Sequence, residues 1–277
     1  MFLVHWQSVK MFFLITCLAA LAADRPIDRI YVFGDSYSDT GNGYVDGNGP
    51  TAVHYFAEGL GIKMLAANDP QVHALSSLNF AVSGAGSGKG NGRTVGSARL
   101  GIGMENQVED FAARVRDKKV KFDPKKTLFY LAGGLNDRKL ESAETVRNLE
   151  SRIRVLAGLG ARRFAVALLP TAIPSFREVG VRLNPALSKV PEEMREVEIR
   201  LSQWGPFFDR VMENPKQYGI ENTKDACAGR AIFNEDTTPC KVPAAHYFYH
   251  AGHPSMAVHR AVGKMLVEEF RQKKRGL

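Results

Sequence analysis

The chain has 277 residues, 44% hydrophobic and 24% charged, which suits one large α/β domain with a buried core and excludes a disordered or fibrous chain. The net charge is +8, but the cations are dispersed. The one dense cluster, "RQKKRG" (271–276), sits at a helix end where it complements the helix dipole, and no basic stripe with interleaved aromatics marks a nucleic-acid surface.

From the N-terminus, Lys10 precedes the apolar run "MFFLITCLAALAA", and Ala20-Leu21-Ala22 fits a small-x-small cleavage site. The run is too short for a comfortable membrane span, so residues 1–22 read as a secretory signal and 23–277 as one domain. Met11 offers an alternative start. The predicted location is secreted and extracellular, with no stable membrane span. Four apolar runs then read as buried strands: "RIYVFG", "LNFAV", "TLFYLAGG" and "RFAVALLP", each ending near Gly, Ser or Pro. Between them lie helical patterns. In 142–160, Val146, Leu149, Ile153 and Leu156 follow helical spacing, with Ser142 as N-cap and Gly158 or Gly160 as stop. Residues 191–213 read as a helical stretch interrupted near Gly205-Pro206, and 254–274 as the last helix, with Pro254 in its first turn. The segments 84–103 and 171–190 read as long surface loops.

Strands alternating with helices predict a mostly parallel sheet covered on both faces, a three-layer α/β/α sandwich. Ligands of such sheets bind beyond the carboxyl ends of the strands. Ser36, the pair Ser83-Gly84 and the triplet Gly134-Leu135-Asn136 each follow a predicted strand, so all three fall on one rim.

Cys17 leaves with the signal, and Cys227 and Cys240 remain as an even pair in a chain bound for an oxidising compartment. A disulfide between them is expected, contributing about 2–3 kcal/mol in the chain-entropy picture. No Asn-x-Ser/Thr glycosylation sequon occurs.

Four blocks in order, "FGDSYSDTGN" (33–42), "NFAVSGAGS" (79–87), "GGLND" (133–137) and "HAGHPS" (250–255), span nearly all of the mature chain. The chain resembles the GDSL esterases and lipases of the SGNH hydrolase superfamily, including secreted fungal-type acetylesterases and plant-type lipases. The resemblance implies a flavodoxin-like α/β/α fold, a serine esterase and no cofactor. It implies Ser36 as nucleophile, His253 as general base, and an oxyanion hole of the Ser36 and Gly84 backbone N–H groups and the Asn136 amide. Ester hydrolysis needs such a set: an activated nucleophile, a proton shuttle, and donors for the developing oxyanion. Gly84 lets the substrate oxygen approach the main chain, and Pro254 sets the direction of the chain just beyond the imidazole. Asp35, Asp39 and Asp137 read as hydrogen-bonders that hold local turns.

One departure stands out. The family carries Asp-x-x-His in its last block, and here that position is His250. A neutral imidazole cannot stabilise an imidazolium as a carboxylate does. The reading adopted is a Ser36–His253 dyad oriented by a backbone carbonyl or by His250. An acid from elsewhere in the chain, or a crippled site, are the alternatives.

Two motifs are set aside. His246, His250 and His253 have a ligand-like spacing, but Gly252 and Pro254 break any shared helix face, so no metal is expected. "SGAGSGKG" (83–90) fails the phosphate-loop pattern, with Ser83 where a glycine is needed and Gly90 after Lys89. The expected partner is a small-molecule, carbohydrate or lipid ester, with acetyl esters of carbohydrate preferred, and the chain is expected to act as a monomer. The rival functions are an acyltransferase using the same acyl-serine and a non-catalytic binding protein.

Overall fold

The computed structural model describes residues 26–271. The secretory-signal reading and residues 272–276 of the basic cluster lie outside the described residues. Strand β1 (Arg29–Gly34) is the spine. In sequence follow α1 (Ala52–Gly59), β2 (Met64–Ala66), β3 (Ser77–Asn79), the hairpin β4 (Asn91–Val95) and β5 (Ala98–Ile102), and α2 (Met104–Arg116). Next come β6 (Thr127–Ala132), α3 (Ser142–Gly158), β7 (Arg163–Ala167), α4 (Arg177–Leu187), α5 (Val190–Glu193), β8 (Glu198–Ser202) and α6 (Trp204–Glu213). The chain closes with β9 (Asn222–Ala226), β10 (His246–His250), β11 (His253–Pro254) and α7 (Met256–Arg271).

Six strands form one all-parallel sheet in the order β2-β3-β1-β6-β7-β8. The order reverses direction at β1, since the chain first steps out to β3 and later returns past β1 to β6. Right-handed crossovers then put α1 on one face and α2, α3 and α4 on the other. The packing agrees: α1 and α6 lie against α7, while α3 lies between α2 and α4. The crevice at the reversal, between the ends of β1 and β6, is where such a sheet holds a ligand.

Both faces of β1 are apolar because both are covered. Ile30, Tyr31, Val32 and Phe33 are fully buried. Under the α2 face, Tyr31, Phe33, Phe80, Phe111, Phe122 and Phe129 form a tilted and edge-on aromatic cluster, with Phe33 stacked on Phe80 at 5.3 Å. Each such ring contributes roughly 2–3 kcal/mol by leaving water, so the sheet beneath the rim is rigidly held.

Several elements differ from the sequence reading. Residues 84–103 are no plain loop, since they fold into the antiparallel β4–β5 hairpin. Within 171–190 runs α4, which buries Val179, Leu183 and Leu187 at four-residue spacing despite Pro185. The stretch 191–213 is not one helix; β8 lies within it, and α6 begins at Trp204 with Pro206 in its first turn, where a missing N–H costs nothing. Ser142 is the first residue of α3 rather than its cap, and its hydroxyl donates to the Arg182 carbonyl instead. Cys227 and Cys240 are disulfide-bonded, as expected.

Candidate active site

The rim begins at Gly34, the last residue of β1. Its N–H donates to Gln107 Oε1 and its carbonyl accepts from Gln107 Nε2, both at 2.9 Å. One buried side-chain amide on α2 thus completes the hydrogen bonding of the strand end and pins the turn that follows. That turn closes when the Asp35 carbonyl accepts from the Ser38 and Asp39 N–H groups, both at 2.9 Å. Ser36 sits on it, 8% exposed.

Two acids, Asp39 and Asp137, tie the rim segments together. The Asp39 carboxylate accepts from the backbone N–H groups of Gly41, Asn42, Gly43, Tyr44 and Ser83, joining the Ser36 turn to the second block. Asp137 accepts from the Ser87 N–H and the Thr145 hydroxyl, joining the third block to the second and to α3. Gly84 has φ +80°, a left-handed conformation that side chains disfavour. Among the described residues, the Ser36 and Gly84 N–H groups have no protein acceptor. Asn136 is exposed, and its Nδ2 donates one hydrogen to the Ala85 carbonyl at 2.9 Å, which leaves the other free.

His253 comes from the small sheet of β9, β10 and β11, where His250 and His253 are paired across the Ala251-Gly252 turn. The turn is held by Tyr37, whose buried hydroxyl donates to the Gly252 carbonyl at 2.7 Å. Tyr37 is itself packed edge-on against Phe176, Trp204 and Phe208. The result is a 2.8 Å contact between Ser36 Oγ and His253 Nε2, across 217 residues of sequence. Burial holds the His253 imidazole below its usual pKa; Asp46 opposes that shift, and Arg230 reinforces it.

A serine–imidazole pair beside two open backbone donors on the switch point of a parallel sheet can attack and stabilise a carbonyl. The GDSL-like lipase/acylhydrolase family model matches residues 30–266. The chain belongs to that family.

This GDSL hydrolase, a carboxylic ester hydrolase, is 25% identical to the GDSL esterase/lipase EXL6 of Arabidopsis thaliana, with 95% of this chain and 96% of the relative aligned. It is 23% identical to the Arabidopsis anther-specific proline-rich protein APG, covering 89% of this chain and 62% of that one. Among solved structures, an acetylxylan esterase from Geobacillus stearothermophilus superimposes with TM-score 0.50 at 14% identity, covering 91% and 98% of the two chains. The YXIM protein of Bacillus subtilis gives TM-score 0.51 at 16% identity, and the present chain spans 58% of it. These two structures share its fold.

The base end differs from the family pattern. His250 does not touch His253 through a hydrogen bond; its Nδ1 lies 2.8 Å from Asp46 Oδ1. The expected backbone carbonyl is in place, with Ala251 O 3.3 Å from His253 Nδ1. Two residues absent from the sequence reading complete the cluster. Asp46, on the loop after Ser36, puts Oδ2 3.2 Å from His253 Nε2. Arg230, inside the disulfide loop, reaches Asp46 Oδ1 through Nε at 2.8 Å, and its Nη2 lies 2.8 Å from His253 Nδ1 and 2.6 Å from Ala251 O. Burial raises the Asp46 carboxyl, but the His250 hydrogen bond and the His253 and Arg230 charges outweigh it and hold the group below the usual carboxylate range. Asp46 is joined to His250 over 204 residues and to Arg230 over 184, whereas Arg230 lies 23 residues before His253; no motif links the three. The one sequence-level hint was the missing acid at position 250.

The three histidines of the C-terminal blocks do not converge. His246 Nδ1 lies beside Cys240 Sγ and the Val242 carbonyl, whereas His250 and His253 face Asp46. The segment 83–90 sits against α3 through Asn148 Nδ2 and Ser87 Oγ, on the same rim as Ser36.

Proposed function

We propose that this chain is a secreted serine esterase working through an acyl-serine intermediate, and that residues 23–277 act as one domain. The 2.8 Å contact of Ser36 Oγ with His253 Nε2, beside the unpaired Ser36 and Gly84 N–H groups, carries this reading. Ser36 Oγ attacks the ester carbonyl carbon while Nε2 takes its proton. The oxyanion is held by the Ser36 and Gly84 N–H groups and the free hydrogen of Asn136 Nδ2. The intermediate collapses, the alcohol departs with the proton from the imidazolium, and the acyl group stays on Ser36. A water then attacks, giving its proton to His253, and the carboxylic acid leaves as Ser36 is restored. No cofactor enters these steps.

Acetyl esters of carbohydrate are the preferred substrates, with short-chain lipid esters next. The likeness to an acetylxylan esterase suits the first, and the plant esterase/lipase relatives suit either. Secretion fits the leader-like N-terminus and the disulfide. Among the described residues no helix is long and apolar enough to cross a membrane. The chain is expected to act as a monomer without nucleic acid. Hydrolysis of p-nitrophenyl acetate, followed by acetylated xylo-oligosaccharides and short-chain triglycerides, tests the reading. Wild type should turn over the first and prefer the acetylated sugar of the latter two. Hydrolysis equal to that of Ser36→Ala on all three contradicts it.

A further inference from the structure

In the family pattern the charge that answers a protonated base sits three residues before it. Here that position holds His250, and His250 is bonded to a carboxylate borrowed from another part of the chain. We propose that Asp46 is the positioning acid of this site: it supplies from the loop after β1 the negative charge that stabilises the His253 imidazolium, with His250 and Arg230 holding it in place. The proposal rests on the serine-esterase reading and deepens it.

The geometry separates this role from a plain structural ion pair. Asp46 Oδ1 is occupied by His250 Nδ1 and Arg230 Nε, each at 2.8 Å. That alone would satisfy a structural bridge. The second oxygen, Oδ2, is turned to 3.2 Å from Nε2 of His253, the nitrogen that faces Ser36 Oγ. Both partners are shielded from water, with side-chain exposure of 10% for Asp46 and 16% for His253, so their attraction is only weakly screened. Once Nε2 takes the Ser36 proton, the N–H lies between Oγ and Oδ2. The proton stays on the imidazole, and Asp46 stays ionised.

Arg230 makes this acid necessary. Its guanidinium, 11% exposed, lies on the other side of the ring against Nδ1. Unanswered, it would oppose imidazolium formation. Its contact also splits the tautomers. With Arg230 donating to Nδ1, the neutral ring carries its hydrogen on Nε2 and cannot accept from Ser36. With Nδ1–H directed at the Ala251 carbonyl, 3.3 Å away, Nε2 is free to act as base. By drawing the Arg230 Nε hydrogen to itself, Asp46 fixes where that guanidinium sits. The groups facing His253 are therefore Asp46, Arg230 and His250, with Tyr37 and the buried neutral His259 packed beneath the same site.

The experiment compares the full chain with Asp46→Asn, Arg230→Gln, the relocated pair Asp46→Asn/His250→Asp and the Ser36→Ala control. Two readouts are taken: the pH profile of kcat/KM for p-nitrophenyl acetate, and the rate of Ser36 labelling by an organophosphonate. Asp46→Asn should lower kcat about 10²–10³-fold with KM little changed and shift the acid limb to lower pH, because the imidazolium loses its counter-charge. Arg230→Gln should shift that limb to higher pH. The relocated pair should recover at least about tenfold over Asp46→Asn, because a carboxylate again stands in the pocket. Asp46→Asn within twofold of wild type with an unmoved limb overturns the inference alone. If that single variant does not melt cooperatively, the relocated pair decides. A folded double variant within about a hundredfold of wild type supports the inference; a folded double variant below that overturns it. A wild type with no Ser36-dependent hydrolysis or labelling instead overturns the esterase reading, and the inference with it.

Discussion

The two ends of the proposed catalytic line are built differently. The nucleophile end is local and redundant: Ser36, Gly84 and Asn136 follow β1, β3 and β6 closely, and Asp39, Asp137 and Gln107 cross-tie them with backbone hydrogen bonds. The base end is assembled from afar. His253 sits on a two-residue strand, its carboxylate comes from residue 46, and its guanidinium comes from a loop closed by a disulfide. A rim laid down by strand ends follows the sheet directly, whereas a charge cluster made of long-range contacts can move its acid to another position as long as the charge stays near the imidazole.

Replacing the proposed nucleophile has the largest expected effect. Ser36→Ala should abolish hydrolysis, a fall of at least about 10⁴-fold in kcat, with the melting temperature nearly unchanged. Next come the proposed oxyanion donors. Asn136→Ala should cost about 10²–10³-fold in kcat with little change in KM. Gly84→Ala should cost at least as much, because φ +80° strains any side chain there. If both variants kept full activity, the nucleophile end would not be the oxyanion site.

The disulfide tests the base end. Removing it by Cys227→Ser/Cys240→Ser should lower stability by about 2–3 kcal/mol. It should also loosen the loop that carries Arg230, so the acid limb of kcat/KM should move in the direction of Arg230→Gln. A loss of stability with an unmoved limb would uncouple the loop from the base.

Two pH effects are smaller. Burial lowers the His253 pKa, so the wild-type acid limb should lie below pH 6.5. Beside Ser36, burial pushes the Asp35 carboxyl up to about 7 from 3.8, opposed by the Tyr37 and Leu135 backbone N–H groups. Its folded pKa exceeds the unfolded one, so this group's contribution to stability is full below about pH 4 and is lost as the pH rises through about 7. Asp35→Asn should therefore raise the melting temperature at pH 8 more than at pH 5, read by calorimetry. An equal change at both values would mean that Asp35 is ionised in the folded chain at pH 5.

The sheet and the rim were legible because their signals are short-range. After their first residues, "RIYVFG" and "TLFYLA" are apolar or aromatic throughout since β1 and β6 are buried on both faces, and Asp-Ser after Gly34 marks the chain leaving the sheet. The β4–β5 hairpin escaped because "NGRTV" is polar and largely exposed, with nothing to alternate against. In α4, Gly180 and Pro185 masked an apolar spacing of four residues. The family resemblance paired Ser36 with His253, whose side chains lie 2.8 Å apart, and the His250 departure announced that something must replace a carboxylate. Which residue does so was not, because Asp46 lies 204 residues from the histidine it holds and differs in no local way from any polar loop residue.

The most direct test is acid-quench mass spectrometry of the full chain during turnover of p-nitrophenyl acetate, followed by peptide mapping. The account predicts one acetyl group on the peptide that carries Ser36, appearing before steady state, decaying when substrate is exhausted and absent from Ser36→Ala. Undiminished hydrolysis by Ser36→Ala, or an acetyl group found only elsewhere in the chain, would contradict it.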